Sequence, residues 1–285
     1  MISSRLIDFV FFGTDEFAAA TLEELAALNC RPALIITTPD KPRGRGRRLA
    51  PPPVKLWAET HQIPYLQPKN LRSDLGRNSK SYKLFLVASY GQILPPEILS
   101  RPERGVLNIH PSLLPKFRGP TPIQSAIMAG EEQTGVTIML VDKQIDHGPI
   151  LKAQGLKLKR QNFVELRDQL ARLGARLLIE ILPAWLAGKI TPRPQNHAQA
   201  TYTKKIKKDD GLIDLAADDR LNYRKFLALN PWPGIYFFTE RGSQSIRVII
   251  TAAHLDSTGR FVIDRVKLES RREMTWADFQ RGFKK

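Results

Sequence analysis

Cysteines and membrane-spanning segments are the features that this sequence most clearly lacks. It holds one cysteine, Cys30, among 285 residues, which excludes an internal disulfide framework and fits a reducing compartment. No apolar run is long enough to cross a bilayer. The first twelve residues carry Asp8 inside their apolar run and offer no small-residue cleavage site, which argues against a secretory signal. Together these absences predict a cytoplasmic protein.

Negative charge is also scarce. The chain has 28 acidic residues against 44 lysines and arginines, which gives a net charge of +16. A surface this basic favours polyanionic partners through salt-sensitive attraction. A generally basic proteome or a need for solubility would give the same balance, and charge alone does not separate these cases. The length leaves room for a catalytic domain and a smaller one.

A glycine-rich dinucleotide fingerprint is absent as well. Leu6 to Phe12 predicts a buried strand, Asp15 to Leu28 a helix and Ala33 to Thr38 a second strand. This order indicates a parallel α/β sheet with right-handed crossovers. Because no G-x-G-x-x-G follows the first strand, a dinucleotide cofactor is not indicated.

Two polar residues stand out in a short strand near the middle of the chain. Val106 to His110 is apolar apart from Asn108 and His110, which project to the same side because strand side chains alternate. A carboxamide and an imidazole are poor core residues, since each needs a polar partner. The pair therefore marks a candidate site, although Asn-x-His alone is more often explained by two residues that fix a strand end, because short motifs match often.

A carboxylate in a later loop completes this candidate site. After the strand, the sequence predicts a helix at Pro120 to Ala129, a strand at Gly135 to Val141 and a polar loop at Asp142 to Gly148. If the two strands are neighbours, Asp146 in the loop can approach His110. The alternative is that Asp146 has no catalytic role and caps a turn.

The three side chains suit acyl transfer to an amine. Such a reaction develops an oxyanion and releases a proton. Asn108 and a protonated His110 could donate hydrogen bonds to the oxyanion, and Asp146 could hold His110 protonated and accept the amine proton. No covalent nucleophile is required.

A longer motif surrounds these residues. It comprises Asn108, His110, Ser112 to Pro115, Arg118, Gly119, Pro122, Thr134 to Ile138, Asp146 and Gly148. With these residues in this order and spacing, the motif resembles that of the formyltransferases that use 10-formyltetrahydrofolate. The resemblance implies a Rossmann-like, doubly wound parallel sheet of the formyltransferase fold, 10-formyltetrahydrofolate as co-substrate, no metal, and catalytic roles for Asn108, His110 and Asp146.

The resemblance also implies a folate site. The turn S-Y-G-Q-I-L-P after the predicted strand Lys83 to Ala88 resembles the family's wall for the pterin ring. The residues assigned to the folate site are Gln92, Ile93, Leu94, Ser112, Leu113, Leu114 and Pro115. A buried apolar turn is the alternative, and both interpretations expect Ile93 and Leu94 to be packed.

Residues 39–55 form a basic, proline-rich segment. Its cations are Lys41, Arg43, Arg45, Arg47, Arg48 and Lys55, against one acid, Asp40. Five prolines disfavour a helix or a central strand, and the segment cannot bury itself, so we expect it to be ordered only by an anion. Arginine side chains grip phosphates, whereas a solvated Arg-Gly tract is the alternative.

The pattern of this segment, P-D-x-P-x-G-R-G-x-x-L, resembles the insertion that methionyl-tRNA formyltransferases place against the acceptor stem of tRNA. Relatives that act on glycinamide ribonucleotide or amino sugars do not carry this basic loop. The resemblance therefore implies that Lys41, Arg43, Arg45, Arg47 and Arg48 contact tRNA.

A second group of cations lies in the predicted linker, residues 190–210. Lys204, Lys205, Lys207 and Lys208 could follow a phosphate backbone or simply solvate the linker. In the family, Thr-Tyr-x-x-Lys-Ile bridges two domains on the side that faces tRNA, which implies tRNA contact for these lysines.

The C-terminal residues predict a small OB-like β-barrel. Its strands are predicted at Tyr236 to Thr239, Ser245 to Ala252 and Arg260 to Leu268. The family's barrel is longer, and the stretch between Ala253 and Gly259 lacks roughly two strands at ~5–6 residues each plus turns. This deletion puts closure of the barrel in question.

These features lead to one functional hypothesis. Residues 1–189 are expected to be a formyltransferase catalytic domain, 190–210 a linker, and 211–285 an abbreviated tRNA-binding barrel. A monomer would transfer the formyl group of 10-formyltetrahydrofolate to methionyl initiator tRNA. The alternatives are a formyltransferase with a small acceptor, a deformylase, and an RNA-binding relative without chemistry. A metal site on His110, Asp146 and His147 is a further alternative, although it would have few ligands and two of them are adjacent in the sequence.

Overall fold

The computed structural model of this protein describes residues 8–43, 46, 48–76, 82–241, 244–269 and 271–283. The chain divides into two compact units. Unit 1 comprises Met1–Gly119, Thr134–Leu156 and Arg167–Tyr202, and unit 2 comprises Pro120–Gln133, Lys157–Leu166 and Thr203–Lys285. Unit 2 therefore includes two segments from the first 189 residues. The functional domain boundaries predicted from the sequence stay a prediction.

The regular elements alternate along most of the chain. The strands up to residue 157 are β1 (Phe9–Gly13), β2 (Leu34–Ile36), β3 (Lys41–Arg43), β4 (Arg48–Ala50), β5 (Tyr65–Leu66), β6 (Leu84–Ala88), β7 (Val106–His110), β8 (Gln133–Leu140) and β9 (Ile150–Lys157). The helices are α1 (Glu16–Ala27), α2 (Pro53–Thr60), α3 (Leu71–Gly76), α4 (Pro96–Leu99), α5 (Pro122–Ala129), α6 (Phe163–Leu186), α7 (Asp219–Leu229) and α8 (Trp276–Phe283). The C-terminal strands are β10 (Ile235–Arg241), β11 (Gln244–Leu255), β12 (Phe261–Leu268) and β13 (Glu273–Thr275).

Unit 1 is built on a seven-stranded sheet in the order β5-β2-β1-β6-β7-β8-β9. The strands from β5 to β7 are parallel, and β8 runs antiparallel to β7. The central strands β1 and β6 are apolar along their whole length and almost entirely buried, as is typical of strands covered on both faces. This confirms the predicted Rossmann-like sheet. The carboxyl ends of β1, β6 and β7 share one edge, where open α/β sheets bind ligands.

The first helix begins and ends as the sequence predicts. Asp15 caps α1, and its Oδ1 accepts the backbone N–H groups of Phe17 and Ala18 at 3.1 and 3.2 Å. Cys30 follows the helix as a free thiol. Burial raises the pKa of this thiol to about 11, so it is protonated and a poor nucleophile at neutral pH.

The longest helix, α6, confirms a prediction from sequence, since apolar residues at helical spacing predict a helix over residues 162–186. Leu166, Leu170 and Leu177 are buried on one face, while the other face carries charged residues such as Arg176. Within the described part of the chain, no helix is long and apolar enough to cross a membrane.

One helix lies within residues 69–80, a polar stretch whose sequence predicts a connection without regular structure. Residues 71–76 form α3, and its Leu71 and Leu75 are both buried in the core of unit 1. Their spacing of four residues is the helical period. The prediction was wrong because a single apolar pair in a run of polar residues is too weak a periodic signal.

The basic segment also differs from the expectation that only an anion would order it. Strands β3 and β4 pair in an antiparallel hairpin, with Pro42 opposite Leu49 and Arg43 opposite Arg48. Gly46 has a φ of +87° between the two strands. A proline fits this two-stranded ribbon because one side of each strand has no ladder partner.

Unit 2 contains an antiparallel sheet in the order β10-β11-β12-β13. Helix α5 packs against α7 within this unit. A short turn joins β11 to β12 directly, and Oδ1 of Asp256 accepts the N–H groups of Thr258 and Arg260 there. The sheet order gives no pairing between β10 and β13 among the described residues, so closure into a barrel stays a prediction.

Candidate active site

The predicted trio of Asn108, His110 and Asp146 comes together in unit 1 at the carboxyl end of β7. Strand β8 is the antiparallel neighbour of β7, with His110 opposite Thr137. The loop that follows β8 brings Asp146 back beside the first two side chains. The neighbouring strands that the sequence analysis required are therefore present.

One carboxylate oxygen is the meeting point of the trio. Asn108 donates from Nδ2 to Oδ1 of Asp146 at 3.3 Å. Nδ1 of His110 lies 3.5 Å from the same oxygen. The side chains of His110 and Asp146 are only 5% and 13% exposed, so their electrostatic interaction is weakly screened. The second N–H of the Asn108 carboxamide remains available for another acceptor.

The other nitrogen of His110 faces a backbone carbonyl. Nε2 lies 3.1 Å from the oxygen of Phe117. A carbonyl oxygen only accepts, so Nε2 carries a hydrogen in this arrangement. No local sequence pattern indicates this contact, because the donor and acceptor belong to different sides of a seven-residue turn. It orients the imidazole ring with Nδ1 towards Asp146.

The backbone also fixes the position of Asp146. Its second carboxylate oxygen accepts the N–H of Gly119 at 2.7 Å. Asp146 has a φ of +49°, in the left-handed region that aspartate and asparagine visit more readily than other non-glycine residues. Two residues on, a Cβ at Gly148 would lie 1.9 Å from the carbonyl oxygen of Leu140. The Asp-x-Gly motif therefore lets the loop pass directly against β8.

A buried cluster behind this loop was missed by the sequence analysis. Arg118 is 1% exposed and donates to Oε1 of Gln195 from Nε at 3.2 Å and from a terminal nitrogen at 2.6 Å. Gln195 in turn donates to the backbone oxygens of Asp146 and Gly148 at 2.9 and 2.8 Å. The need of a buried guanidinium for acceptors was a signal, but no sequence pattern identified Gln195 as the acceptor.

Two histidines stack beside the same cluster. The rings of His147 and His197 are 4.0 Å apart and parallel within 1°. His147 contacts Asp142 at 2.6 Å, and Nδ1 of His197 lies 2.9 Å from Arg118. Desolvation, His147 and Arg118 together lower the pKa of His197. Among the described residues, no group of three or more His, Cys, Asp or Glu side chains is arranged to hold a metal ion.

The Ser112 to Pro115 turn is tied to the neighbouring strand. Thr137 donates from its hydroxyl to the carbonyl oxygen of Ser112 at 2.7 Å and accepts the N–H of Leu114 at 3.1 Å. Ser112 and Leu114 are buried, while Leu113 and Pro115 are half-buried. The turn is thus held rigidly at the end of β7.

The second predicted folate segment, Gln92 to Leu94, follows β6 at the same sheet edge. Leu94 packs in the core, as expected. Ile93, however, is 77% exposed, so the expectation that both residues are packed was wrong for Ile93. Hydrophobicity alone predicted a packed position for Ile93, whereas the backbone of the turn directs its side chain to the surface. Gln92 is half-buried.

Three cations of the basic segment lie on the strands of the hairpin in unit 1. Lys41 and Arg48 are exposed on its strands, and Arg43 belongs to β3. Arg45 and Arg47 lie outside the described residues. Lys55 is different, because its ammonium group contacts both carboxylate oxygens of Asp40 at 3.0 and 2.9 Å.

Asp40 attaches the base of the hairpin to unit 1. Gln67 donates to Oδ1 of Asp40 at 2.7 Å and to the carbonyl oxygen of Thr38 at 2.9 Å. The hydrogen bonds from Gln67 and Lys55 lower the pKa of the Asp40 carboxyl. The carboxylate of Asp40, the one acid in the segment, is therefore bonded to Lys55 and Gln67.

The predicted linker lysines lie in unit 2. Lys204, Lys205, Lys207 and Lys208 are all exposed. In the described part of the chain, none of their ammonium groups forms an ion pair with a carboxylate. They form a compact group of solvent-facing positive charges.

Comparison with known proteins agrees with this arrangement. Residues 7–182 match the family described as formyl transferase. A methionyl-tRNA formyltransferase from Chloroflexus aurantiacus is 46% identical over 254 residues, which make up 87% of this chain and 81% of that protein.

Solved structures share the fold. Methionyl-tRNA formyltransferase from Clostridium thermocellum has a TM-score of 0.61 at 16% identity, over 92% of this chain and 99% of that one. HypX from Aquifex aeolicus, in complex with tetrahydrofolic acid, has a TM-score of 0.65 at 16% identity, over 98% of this chain and 47% of that one. The chain therefore belongs to the formyl transferase family, and its relatives place it with the methionyl-tRNA formyltransferases.

Proposed function

We propose that this protein transfers the formyl group of 10-formyltetrahydrofolate to the α-amino group of methionine on initiator tRNA. The observation that carries the proposal is the convergence of Asn108 and His110 on one carboxylate oxygen of Asp146 at the carboxyl edge of a parallel sheet. The family match over residues 7–182 supports formyl transfer. The curated relative named as a methionyl-tRNA formyltransferase supports the acceptor.

Asn108 and His110 stabilise the oxyanion in this mechanism. When the neutral amine attacks the formyl carbon, negative charge develops on the formyl oxygen. Asn108 has one N–H bonded to Asp146 and a second one to offer. The N–H at Nε2 of His110 now bonds Phe117, and an anionic oxygen is a stronger acceptor than that neutral carbonyl. The two donors together stabilise charge that is present only in the transition state.

Asp146 takes up the proton in this mechanism. An α-amino group titrates near pH 7.7–8.0, so roughly a tenth or more of it is neutral at pH 7 and little activation is needed. After attack the amine nitrogen is cationic, and Asp146 accepts its proton directly or through water. The carbon–nitrogen bond to N10 then breaks, and the proton ends on N10 of tetrahydrofolate.

The folate co-substrate binds beside the trio in this proposal. Backbone groups of Gln92 to Leu94 line the pterin ring, and the turn from Ser112 to Pro115 forms the adjoining wall. The turn is suited to this role because Thr137 bonds the carbonyl oxygen of Ser112 and the N–H of Leu114, and so fixes the backbone of the turn. The exposed Ile93 offers apolar surface at the same edge of the sheet.

Two groups of cations bind tRNA in the proposal, one in each unit. The basic segment, residues 39–55, contributes Lys41, Arg43, Arg45, Arg47 and Arg48, and unit 2 contributes Lys204, Lys205, Lys207 and Lys208. Phosphate contacts of this kind supply affinity that falls steeply with salt. Because Asp40 is bound by Lys55 and Gln67, it does not compete with phosphate for the hairpin cations.

Replacing Arg43, Arg45, Arg47 and Arg48 together by alanine is expected to raise KM for methionyl-tRNA and leave kcat nearly unchanged. Removal of each arginine that binds a phosphate should lower the slope of log KM against log salt by roughly one. Steady-state kinetics between 50 and 200 mM salt measures both effects. The corresponding variant of Lys204, Lys205, Lys207 and Lys208 tests the second group in the same assay.

A matched control removes the same net charge elsewhere in unit 1. Lys69, Arg72, Lys152 and Arg176 are exposed cations, and their combined replacement by alanine should leave the salt slope intact. If the control and the hairpin variant shift KM equally, the effect is one of net charge, and the hairpin does not bind tRNA.

Three further parts of the proposal concern the whole chain. The catalytic domain comprises residues 1–189 and the tRNA-binding part residues 211–285. All three trio residues come from one chain, which supports action as a monomer. The reaction takes place in the cytoplasm, where initiator tRNA is charged.

A comparison of acceptors tests the proposed reaction most directly. With 10-formyltetrahydrofolate, formylation of charged initiator tRNA is expected to exceed transfer to charged elongator tRNA, glycinamide ribonucleotide or water. Faster release of formate than transfer to tRNA would make the protein a deformylase. Binding of tRNA without consumption of folate would make it an RNA-binding relative.

A further inference from the structure

We propose that Gln195 is a positioning residue for formyl transfer, and that it acts by clamping the backbone of the Asp146 loop. The inference rests on the proposed function, because it concerns the residue that takes up the proton there. Gln195 is 5% exposed and lies far from the trio in the sequence. Its carboxamide joins the buried Arg118 on one side to the loop on the other.

Arg118 and the loop together bond both ends of the Gln195 carboxamide: Arg118 bonds its oxygen, and the loop bonds its NH2 group. Oε1 accepts two N–H groups of Arg118, at 3.2 and 2.6 Å. Nε2 has two hydrogens, and its contacts are the carbonyl oxygens of Asp146 at 2.9 Å and Gly148 at 2.8 Å. The clamp therefore grips the loop on both sides of His147.

Arg118 determines which way round the carboxamide lies. A guanidinium only donates, so the atom that faces it must be the oxygen of Gln195. The NH2 group is then forced towards the loop carbonyls. Arg118 is itself held at other points, since it also contacts Tyr202 at 3.2 Å and His197 at 2.9 Å. A buried, multiply bonded arginine thus serves as the fixed support of the clamp.

The loop needs such a clamp because Asp146 adopts an uncommon backbone conformation. Its φ of +49° costs free energy relative to an extended backbone. The N–H of Gly119 holds the Asp146 carboxylate, whereas Gln195 holds its backbone. With both contacts, the carboxylate has little freedom to rotate away from Asn108 and His110. A displacement of about 1 Å at a reacting group can cost 10²-fold in rate.

Two substitutions separate this role from a purely structural one. Gln195→Glu keeps an oxygen acceptor for Arg118 but removes both donors to the loop carbonyls. Gln195→Met has a similar size and removes the acceptor and the donors together. If Gln195 only supports Arg118, the glutamate variant should behave as wild type. If it positions the loop, both variants should lose catalysis.

The expected result is a fall in kcat of about 10–10²-fold for Gln195→Glu, with KM for methionyl-tRNA within about threefold of wild type because the cation groups are untouched. Its midpoint of thermal unfolding should shift by less than about 4 °C. Hydrogen exchange of the amides of residues 144–148 should become faster in both variants, and this reports the loop even if Gln195→Met loses stability. Gln199→Ala, an exposed glutamine four residues on, is the matched control.

Three outcomes are decisive. Wild-type kcat and unchanged hydrogen exchange in Gln195→Glu would overturn the inference. An inactive wild-type protein would instead contradict the proposed function, so the two failures are distinguishable. A higher KM with wild-type kcat would also overturn the inference, because it would assign Gln195 to substrate binding rather than to placement of Asp146.

Discussion

Exchanging Asp146 for asparagine is expected to lower kcat for formyl transfer by about 10²–10⁴-fold, the range typical of general acid–base catalysis. The exchange keeps the size of the side chain and one oxygen for the N–H of Gly119, which now lies 2.7 Å from the carboxylate. It removes the negative charge that takes up the amine proton. Single-turnover transfer measures the chemical step apart from product release.

Asp168→Asn is the control for this substitution. It makes the same chemical change on the surface of α6, where Asp168 pairs with Arg167 at 2.7 Å. Partly exposed pairs of this kind contribute about 0–1 kcal/mol to stability, so transfer should proceed as in the wild type. A turnover in Asp146→Asn within threefold of wild type would remove Asp146 from the mechanism as the proton acceptor.

Replacing Asn108 by alanine is expected to lower kcat by about 10²–10³-fold, the usual cost of one oxyanion donor. KM for folate and for tRNA should change little, because the hydrogen bond to the oxyanion forms only in the transition state. Asn108 is half-buried in the middle of β7, so truncation of its side chain leaves no fully enclosed cavity and stability should be nearly unchanged. Stopped-time assays at saturating substrate, together with thermal unfolding, check both statements.

Asn70→Ala provides the comparison, since Asn70 is exposed and its Oδ1 accepts the nearby N–H of Arg72 at 2.9 Å. An increased KM at wild-type kcat in Asn108→Ala would show that Asn108 contributes uniform binding instead of oxyanion stabilisation. The double variant Asn108→Ala/Asp146→Asn should be less impaired than the product of the two single effects. Asn108 donates a hydrogen bond to Oδ1 of Asp146, and the effects of substitutions at residues in direct contact are not additive.

The sequence predicted those parts of unit 1 that have a strong local pattern. The apolar runs of β1 and β6 and the long periodic stretch of α6 were located within a few residues. The hairpin β3–β4 and the short helix α3 were not, because neither has enough periodic residues to outweigh prolines or polar neighbours. Ile93 shows a further limit, since hydrophobicity does not tell which way a turn directs a side chain.

The residues of the candidate site also fall into those that a local sequence pattern predicted and those that it did not. Asn108 and His110 were found because strand alternation places them on one face, and Asp146 because a motif of known spacing includes it. Gln195 was missed although it contacts the backbone of Asp146, since 49 residues separate the two. A contact of this kind depends on tertiary packing and leaves no local pattern. The buried charge of Arg118 indicated only that some acceptor had to exist.

The protonated state of Cys30 bears on how the protein responds to chemical stress. Oxidants and alkylating agents react with thiolates, and a thiol with a pKa of about 11 supplies almost none at cellular pH. The chain has no other cysteine to oxidise. Under thiol-directed oxidation, a fall in formylated initiator tRNA would therefore originate in the supply of reduced folate or charged tRNA rather than in damage at this thiol.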